Sequence, residues 1–296
     1  MQPNKIAVIG AGTMGTRIAA VFAARGFAVS LYSRTAASLE KAEPVIRTLA
    51  GGDAPVTFTT VLADCLSGAG FVSENIAENL ALKQEVFRQI EQHVGDDCLL
   101  TTNTSSVPIG AIATVLRRPQ RFIGLHWFNP ADVMPMLEIV RGPLTGEPAF
   151  QQTTALCRAL GKTTIAVDKD VPGFIVNRLQ YALLREALHL VSAGIGTVED
   201  VDFAVQSTLA PRWSAMGPMK LMDFAGLDTV RNVAAILLPE LANDTHLPAW
   251  VLDRVEQGHL GVKSGRGFYV WSEEEIKTGM EHRNDIISLL TAKRSS

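Results

Sequence analysis

Gly10, Gly12 and Gly15 stand in the spacing G-x-G-x-x-G, after the apolar run Ile6-Ala7-Val8-Ile9 and before residues 16–24, which read as a helix. Strand, tight glycine turn and helix in that order can hold a pyrophosphate. Gly10 makes the turn, Gly12 lets the backbone approach the phosphates, and Gly15 lets helix and strand pack closely. With Thr13 and Met14, they present the unpaired N–H groups and partial positive charge of a helix N-terminus to an anion. The chemistry this permits is dinucleotide binding. About 20 residues further on, an NAD site carries an Asp or Glu for the ribose hydroxyls. Here Ser33-Arg34-Thr35 stands in that place. No carboxylate is present to repel a 2′-phosphate and Arg34 can pair with one, so NADP is favoured over NAD. Two more polar clusters, Asn103-Thr104-Ser105-Ser106 and His126-Trp127-Phe128-Asn129-Pro130, directly follow strand-like runs. Ligands of open α/β sheets sit beyond the carboxyl ends of the strands, so both clusters are expected to face the cofactor. Asn129-Pro130 is expected to turn the chain away from the sheet.

The elements that must position these groups follow from periodicity. Residues 27–32 read as the second strand, 36–50 as a helix broken by Gly51-Gly52-Asp53, and 56–59 and 69–74 as strands. Glu78-Asn79-Leu80 opens a helix with Leu82, Val86, Phe87, Ile90 and Val94 at helical spacing. A strand at 98–102, a short helix at 107–116, strands at 121–125 and 137–140, a helix at 147–160 and a strand at 163–167 complete the alternation. The pattern predicts a parallel doubly wound sheet. Beyond Val171-Pro172-Gly173 helical patterns dominate, at 174–193, about 198–208, 219–238, 248–257 and 273–291. The fold expected is α/β, with a Rossmann-type dinucleotide-binding domain over 1–168 and an all-helical domain over 169–296. The first helix of the latter carries Leu179, Leu183, Leu184, Leu188 and Val191, an apolar face for a core or a dimer contact.

Composition narrows the class. The chain has 296 residues, 47% of them hydrophobic, and a formal net charge of −3. No run of Lys or Arg suggests nucleic acid or an acidic membrane surface. Cys65, Cys98 and Cys157 share no metal or redox spacing and read as small buried residues of a reducing compartment. No metal is expected. Met1-Gln2-Pro3-Asn4-Lys5 leaves no room for a signal peptide before the first strand, and no apolar run reaches spanning length. A soluble, cytoplasmic protein is expected.

The chain resembles the 3-hydroxyacyl-CoA dehydrogenase family from about residue 5 to about 270. The resemblance rests on Gly10-Ala11-Gly12-Thr13-Met14-Gly15, Glu74-Asn75-Ile76-Ala77-Glu78-Asn79-Leu80, Asn103-Thr104-Ser105-Ser106, and His126-Trp127-Phe128-Asn129-Pro130 with Glu138 twelve residues past the histidine. It continues in Asp170-Val171-Pro172-Gly173-Phe174-Ile175-Val176-Asn177-Arg178, Met216-Gly217-Pro218, Asp223-Phe224-Ala225-Gly226-Leu227-Asp228 and Lys263-Ser264-Gly265-Arg266-Gly267-Phe268-Tyr269. It implies two domains, dimerisation through the helical one, and an active site in the cleft between them. His126 and Glu138 match the family's catalytic pair, and Ser105 and Asn177 its substrate-binding serine and asparagine. Glu74, Asn79 and Asn103 lie where cofactor-facing residues lie, although Asn79 also suits a helix cap. The chemistry agrees: oxidising an alcohol needs a base, imidazole titrates near neutral pH, and a carboxylate on its other nitrogen fixes the tautomer. A hydroxyl and an amide suit a developing carbonyl oxygen because they donate without adding charge.

The chain departs from the family at Ser33-Arg34, where the usual acid is absent, and in length after the second strand. Acyl-CoA members carry a long helical hairpin there that helps clamp the CoA. Residues 36–55 are too few for two long helices, and offer only Lys41 and Arg47 for CoA phosphates. The residues from Asn177 to Ala187 look more like small-substrate members, the L-gulonate 3-dehydrogenase (lambda-crystallin), carnitine dehydrogenase and pyridine-carboxylate dehydrogenase groups. Arg212-Trp213 could bind a substrate carboxylate by charge and stacking. The expected function is oxidation of a 3-hydroxy group to a ketone, or the reverse, on a small free acid. A short-chain 3-hydroxyacyl-CoA dehydrogenase and a non-catalytic dinucleotide-binding protein stay open as alternatives.

Overall fold

The computed structural model describes residues 3–295. The chain forms two compact units that meet in sequence at Asn177 and Arg178. The first is an eight-stranded sheet of β1 (Lys5–Ile9), β2 (Ala28–Tyr32), β3 (Val56–Thr59), β4 (Phe71–Glu74), β5 (Leu99–Thr102), β6 (Phe122–His126), β7 (Met136–Val140) and β8 (Thr163–Val167). The strand order is β3-β2-β1-β4-β5-β6-β7-β8. The order reverses at β1, which opens the crevice beyond the ends of β1 and β4.

Alternation along the strands splits the core in two. Ile6 and Val8 of β1 face a cluster with Ile18 and Phe22 of α1 (Thr13–Ala24), Leu39 and Ile46 of α2 (Ala36–Ala50) and, further on, Leu156 of α6 (Glu147–Ala159). Ala7 and Ile9 face the other way, onto Cys65 and Leu66 of α3 (Leu62–Leu66), Phe87 and Ile90 of α4 (Leu80–His93) and Ile109 and Ile112 of α5 (Ile109–Ala113). Phe22 meets the rings of Phe27, Phe71 and Trp127. Burial of such a ring contributes about 1.5–3 kcal/mol. The three cysteines are buried free thiols, and burial pushes them up to about 11 for Cys65 and about 12 for Cys98 and Cys157.

The sheet departs from the expected parallel order on one side. β6 and β7 are antiparallel, and β8 runs parallel to β7. Residues 127–135 contain no helix and are too few for a crossover, so the chain reverses direction there.

The second unit is helical. α7 (Val176–Ser192) begins at the end of the first unit, and α8 (Val198–Ala204), a π-helical turn at Val205–Leu209, α9 (Ala210–Ala215), α10 (Pro218–Ala225), α11 (Leu227–Leu237), α12 (Ala249–Glu256) and α13 (Glu273–Ser295) follow. The single helix expected over 219–238 is two, because Gly226 takes φ +94° between α10 and α11. Thr197 and Asp200 form a capping box at the start of α8. Among the described residues no helix is long and apolar enough to cross a membrane.

The glycine turn is packed against itself. Gly10 has φ +105°, and a Cβ there would lie 2.7 Å from the Asn75 carbonyl oxygen. A Cβ on Gly15 would fall on the carbonyl oxygen of Gly10. Gly15→Ala is therefore expected to cost roughly 1–3 kcal/mol or more in urea unfolding. Unchanged stability would show that the turn yields freely.

Candidate active site

His126, the last residue of β6, is paired in register with Glu138 of β7 across the antiparallel ladder. Directly opposite residues project to the same face, so the imidazole and the carboxylate meet. His126 Nδ1 lies 2.7 Å from Glu138 Oε2, and both side chains are buried. Burial by itself would raise the pKa of Glu138. Hydrogen bonds from the His126 ring and from the N–H groups of Val176 and Ile175 outweigh it and hold the carboxyl below its usual range. Those two N–H groups donate to Glu138 Oε1 at 2.9 and 3.0 Å. An ionised carboxylate only accepts, so Nδ1 carries the proton and the Nε2 lone pair is left free. Nε2 lies 3.2 Å from Ser105 Oγ. Phe128 and Phe174 meet the imidazole edgewise, with ring centroids 4.6 and 5.4 Å away. Phe174 has φ +49°, which a bulky residue rarely adopts, and it wedges a buried ring against His126. Asn177 follows Val176 directly as the second residue of α7 and is half-buried.

The loop that carries Ser105 is held from below. Glu78 accepts from the Ser105 N–H through Oε1 and, at 2.8 Å, from Thr104 Oγ1 through Oε2. Lys83 Nζ lies 3.6 Å from Glu78 and 2.8 Å from Glu74 Oε1, and the Lys83 and Glu74 side chains are fully buried. Glu74 also accepts from Thr102 Oγ1 at 2.5 Å and from the Ile76 N–H at 2.7 Å. Sequence reading put Glu74 toward the cofactor; in the structure both its oxygens are engaged inside the protein. Asn79 caps α4 by accepting from the Leu82 N–H at 2.9 Å. Lys83 and Phe174 were missed. A lysine at i+9 from a strand carboxylate has no local signature, whereas the Pro172-Gly173 turn could have pointed to Phe174. Asn103 fastens three strand ends, donating to Asn75 Oδ1 at 3.1 Å and accepting from the Trp127 N–H at 2.9 Å.

Beyond His126 the chain makes its turn, with a cis Asn129–Pro130 bond and Pro130 O accepting from Val133 and Met134 N–H. Lys162 Nζ donates to the carbonyls of Ala131, Asp132 and Met134 at 2.9, 3.3 and 2.7 Å. Burial lowers this ammonium to about 8, against the pull of the Asp132 charge. Arg17 of α1 pairs with Asp132 at 2.5 Å.

The same chain carries family-wide similarity. Residues 5–171 match the family described as 3-hydroxyacyl-CoA dehydrogenase, NAD binding domain, and residues 173–271 match 3-hydroxyacyl-CoA dehydrogenase, C-terminal domain. The chain belongs to the 3-hydroxyacyl-CoA dehydrogenase family. It is an oxidoreductase that acts on a CH–OH group with a nicotinamide dinucleotide. It is 36% identical over 286 residues to 5-formyl-3-hydroxy-2-methylpyridine 4-carboxylate 5-dehydrogenase of Mesorhizobium japonicum, covering 93% of each chain. It is 39% identical to a 3-hydroxybutyryl-CoA dehydrogenase of Mycobacterium tuberculosis, covering 90% of this chain and 98% of that one. Among solved structures, a dehydrogenase of that same pyridine carboxylic acid, described as an NAD+-dependent dismutase, superposes with a TM-score of 0.91 at 34% identity, covering 99% and 98% of the chains. The (S)-3-hydroxybutyryl-CoA dehydrogenase of Ralstonia eutropha superposes with a TM-score of 0.73 at 33% identity, covering 91% and 99%.

The dehydrogenase's glycine turn fits a pyrophosphate. The N-terminus of α1 has no side-chain cap and no acidic residue in its first turn. Gly12 has an ordinary φ of −78°, and nothing lies within 4 Å of where its Cβ would be. That space, with the N–H groups of Thr13 and Met14 behind it, would receive the phosphates. Gly10 N donates to Tyr32 O at 2.9 Å, which sets Ser33 and Arg34 beside the turn; Arg34 is exposed. The NADP preference expected from Ser33-Arg34 finds no support in the comparisons, which speak of NAD. Arg212 and Trp213 belong to the second unit, on α9, where Arg212 Nε donates to Thr208 O at 3.0 Å.

Two outcomes are expected. Lys83→Met leaves Glu74 buried without its counter-charge and should destabilise the enzyme by about 3–5 kcal/mol in chemical unfolding. Glu138→Gln acts on both stability and turnover. The depressed carboxyl contributes stability that is present above its unfolded pKa, near 4.5, and is lost as pH falls through the folded value. The variant should flatten that acid limb. Its amide NH2 would also face Nδ1, shift the ring proton to Nε2 and lower turnover by roughly 10²–10⁴-fold.

Proposed function

We propose that the enzyme oxidises the hydroxyl of a small free hydroxy acid, or runs the reverse reduction, with NAD, and that it works as a homodimer through its helical unit. The observation that carries the substrate class is the connection between β2 and β3. It holds one fifteen-residue helix, α2, and no hairpin. Its Arg47 is already bound to Glu43 and to the Gly52 and Ala54 carbonyls. No helical clamp for a CoA nucleotide stands there. The high superposition with the pyridine-carboxylate enzyme supports the same reading, and that protein's NAD+ dependence supports NAD. A cytoplasmic location accords with three unpaired thiols.

In this reading His126 Nε2 takes the hydroxyl proton, and Glu138 holds the ring in the required tautomer and stabilises the imidazolium. Ser105 Oγ and the Asn177 amide hold the substrate oxygen by donating hydrogen bonds as it becomes a carbonyl. Bound nicotinamide supplies the hydride acceptor. The buried ring of Phe174 and the half-buried ring of Phe128 beside His126 keep water from the proton being moved. Arg212, with Trp213, is assigned to the substrate carboxylate. The 39% identity to a 3-hydroxybutyryl-CoA dehydrogenase favours a second reading, a short-chain L-3-hydroxyacyl-CoA as substrate.

A matrix of NAD and NADP against free hydroxy acids, including hydroxymethylpyridine carboxylates, and short 3-hydroxyacyl-CoAs separates the two. Turnover of free acids with NAD is expected, and Arg212→Ala should raise the substrate KM about 10- to 100-fold. Activity confined to CoA esters would establish the second reading, and binding of dinucleotide with no turnover across the whole matrix would leave a non-catalytic role.

A further inference from the structure

Lys162 stands just before β8 and reaches into the loop between β6 and β7. Its Nζ gathers three carbonyls of one short stretch, those of Ala131, Asp132 and Met134. The next residue extends the grip. The Thr163 N–H and hydroxyl donate to Pro135 O at 2.9 and 3.2 Å, and Thr163 then pairs with Met136 as β7 begins. At the other end of the loop, Nζ lies 6.0 Å from the ring centroid of Trp127, the buried neighbour of His126. Three acceptors need three donors. An ammonium has three N–H groups, whereas a neutral amine has two and turns its lone pair on the third oxygen. The charge of Lys162, and not only its length, therefore decides how firmly the loop is held.

We infer that Lys162 is a positioning residue for the catalytic pair: its ammonium holds the loop so that His126 stays on Glu138, and turnover falls as that ammonium gives up its proton. The inference rests on His126 acting as the base. Lys162 acts through the loop, since its contacts are with residues 127 and 131–134.

The groups around Lys162 leave it as the cation that changes. Asp132 faces it from the loop and opposes the downward pull of burial, while the charge of Arg25, at the end of α1, adds to that pull. Arg17 of α1 reaches the cluster through Asp132. Arginine stays charged throughout. α6 presents the Cys157 carbonyl to the Lys162 N–H, and burial pushes the Cys157 thiol up to about 12. Lys162 itself titrates at about 8, below its usual 10.5. The folded state thus binds this proton less tightly than the unfolded chain, and the stability the group contributes rises as pH climbs from about 8 toward 10.5. Turnover lost through Lys162 comes with a gain in stability, the reverse of what alkaline unfolding gives.

The test uses the full-length enzyme with NAD. The hydrogen-bonded Nδ1 proton of His126 gives a far-downfield resonance, assigned by its loss in His126→Gln. In the wild type this resonance should shift as pH rises through about 8, together with the Lys162 ammonium signal and with a fall in kcat on the best substrate of the matrix above. Lys162→Met should displace the resonance at every pH, abolish the alkaline fall, and lower kcat about 10- to 100-fold with KM little changed. The wild-type urea midpoint, set against that of Lys162→Met, should rise over the same range. Lys162→Arg keeps the charge and should recover turnover without the alkaline fall, which carries the test where the methionine variant does not fold. A wild-type resonance indifferent to the Lys162 titration would overturn the inference. So would an alkaline fall that persists in either variant, or a loss of kcat with the resonance unmoved, which marks a merely structural lysine. Turnover retained in His126→Gln would instead overturn the reading of His126 as base.

Discussion

The antiparallel register of β6 on β7 is the constraint on which this enzyme depends. It alone sets His126 opposite Glu138, and a slip of one residue would turn one of the two to the far face of the sheet. The register is fixed by the loop between the strands, which is held from three sides. Its own turn closes at Pro130, Lys162 just before β8 gathers three of its carbonyls, and Arg17 ties Asp132 to the helix that follows the glycine turn. Nucleotide turn and catalytic strand are thereby parts of one rigid edge.

Three carboxylates, Glu74 and Glu138 buried and Glu78 exposed, organise that edge in the same manner. Glu74, Glu78 and Glu138 each accept backbone N–H groups from a neighbouring loop or helix start while also facing a cationic or ring N–H partner. A carboxylate used this way ties two segments of chain together and gains charge-assisted hydrogen bonds as it does so. Ser105 and His126 are positioned from opposite sides by two such groups, Glu78 beneath the serine loop and Glu138 behind the imidazole.

Much of this was legible in the sequence. The glycine spacing, the alternation of strands and helices and the polar clusters at the ends of β5 and β6 follow from local chemistry, and the structure puts Ser105 and His126 within contact. What was not legible depends on direction and on partners distant in the chain. The reversal at β7 shows in sequence only as a connection too short for a helix. Glu74 ends β4 and Glu78 stands in the loop before α4, four residues apart, and only Lys83 and Thr102, brought in from α4 and β5, decide that Glu74 is sealed inside. Gly226 splits a helix whose apolar periodicity runs straight through it. The apolar face of the first helix of the second unit was read as serving a core or a dimer contact, because periodicity cannot say whether such a face meets its own chain.

The three glycines of the turn answer to different demands. Gly10 and Gly15 are required by the protein itself, since a side chain at either would strike backbone. Gly12 is not: its conformation suits any residue and its Cβ would meet open space. A lineage that ceased to bind dinucleotide would have to keep the outer pair to stay folded and would be free to fill the middle position. The middle glycine is thus a record of use, separable in principle from the record of folding written on either side of it.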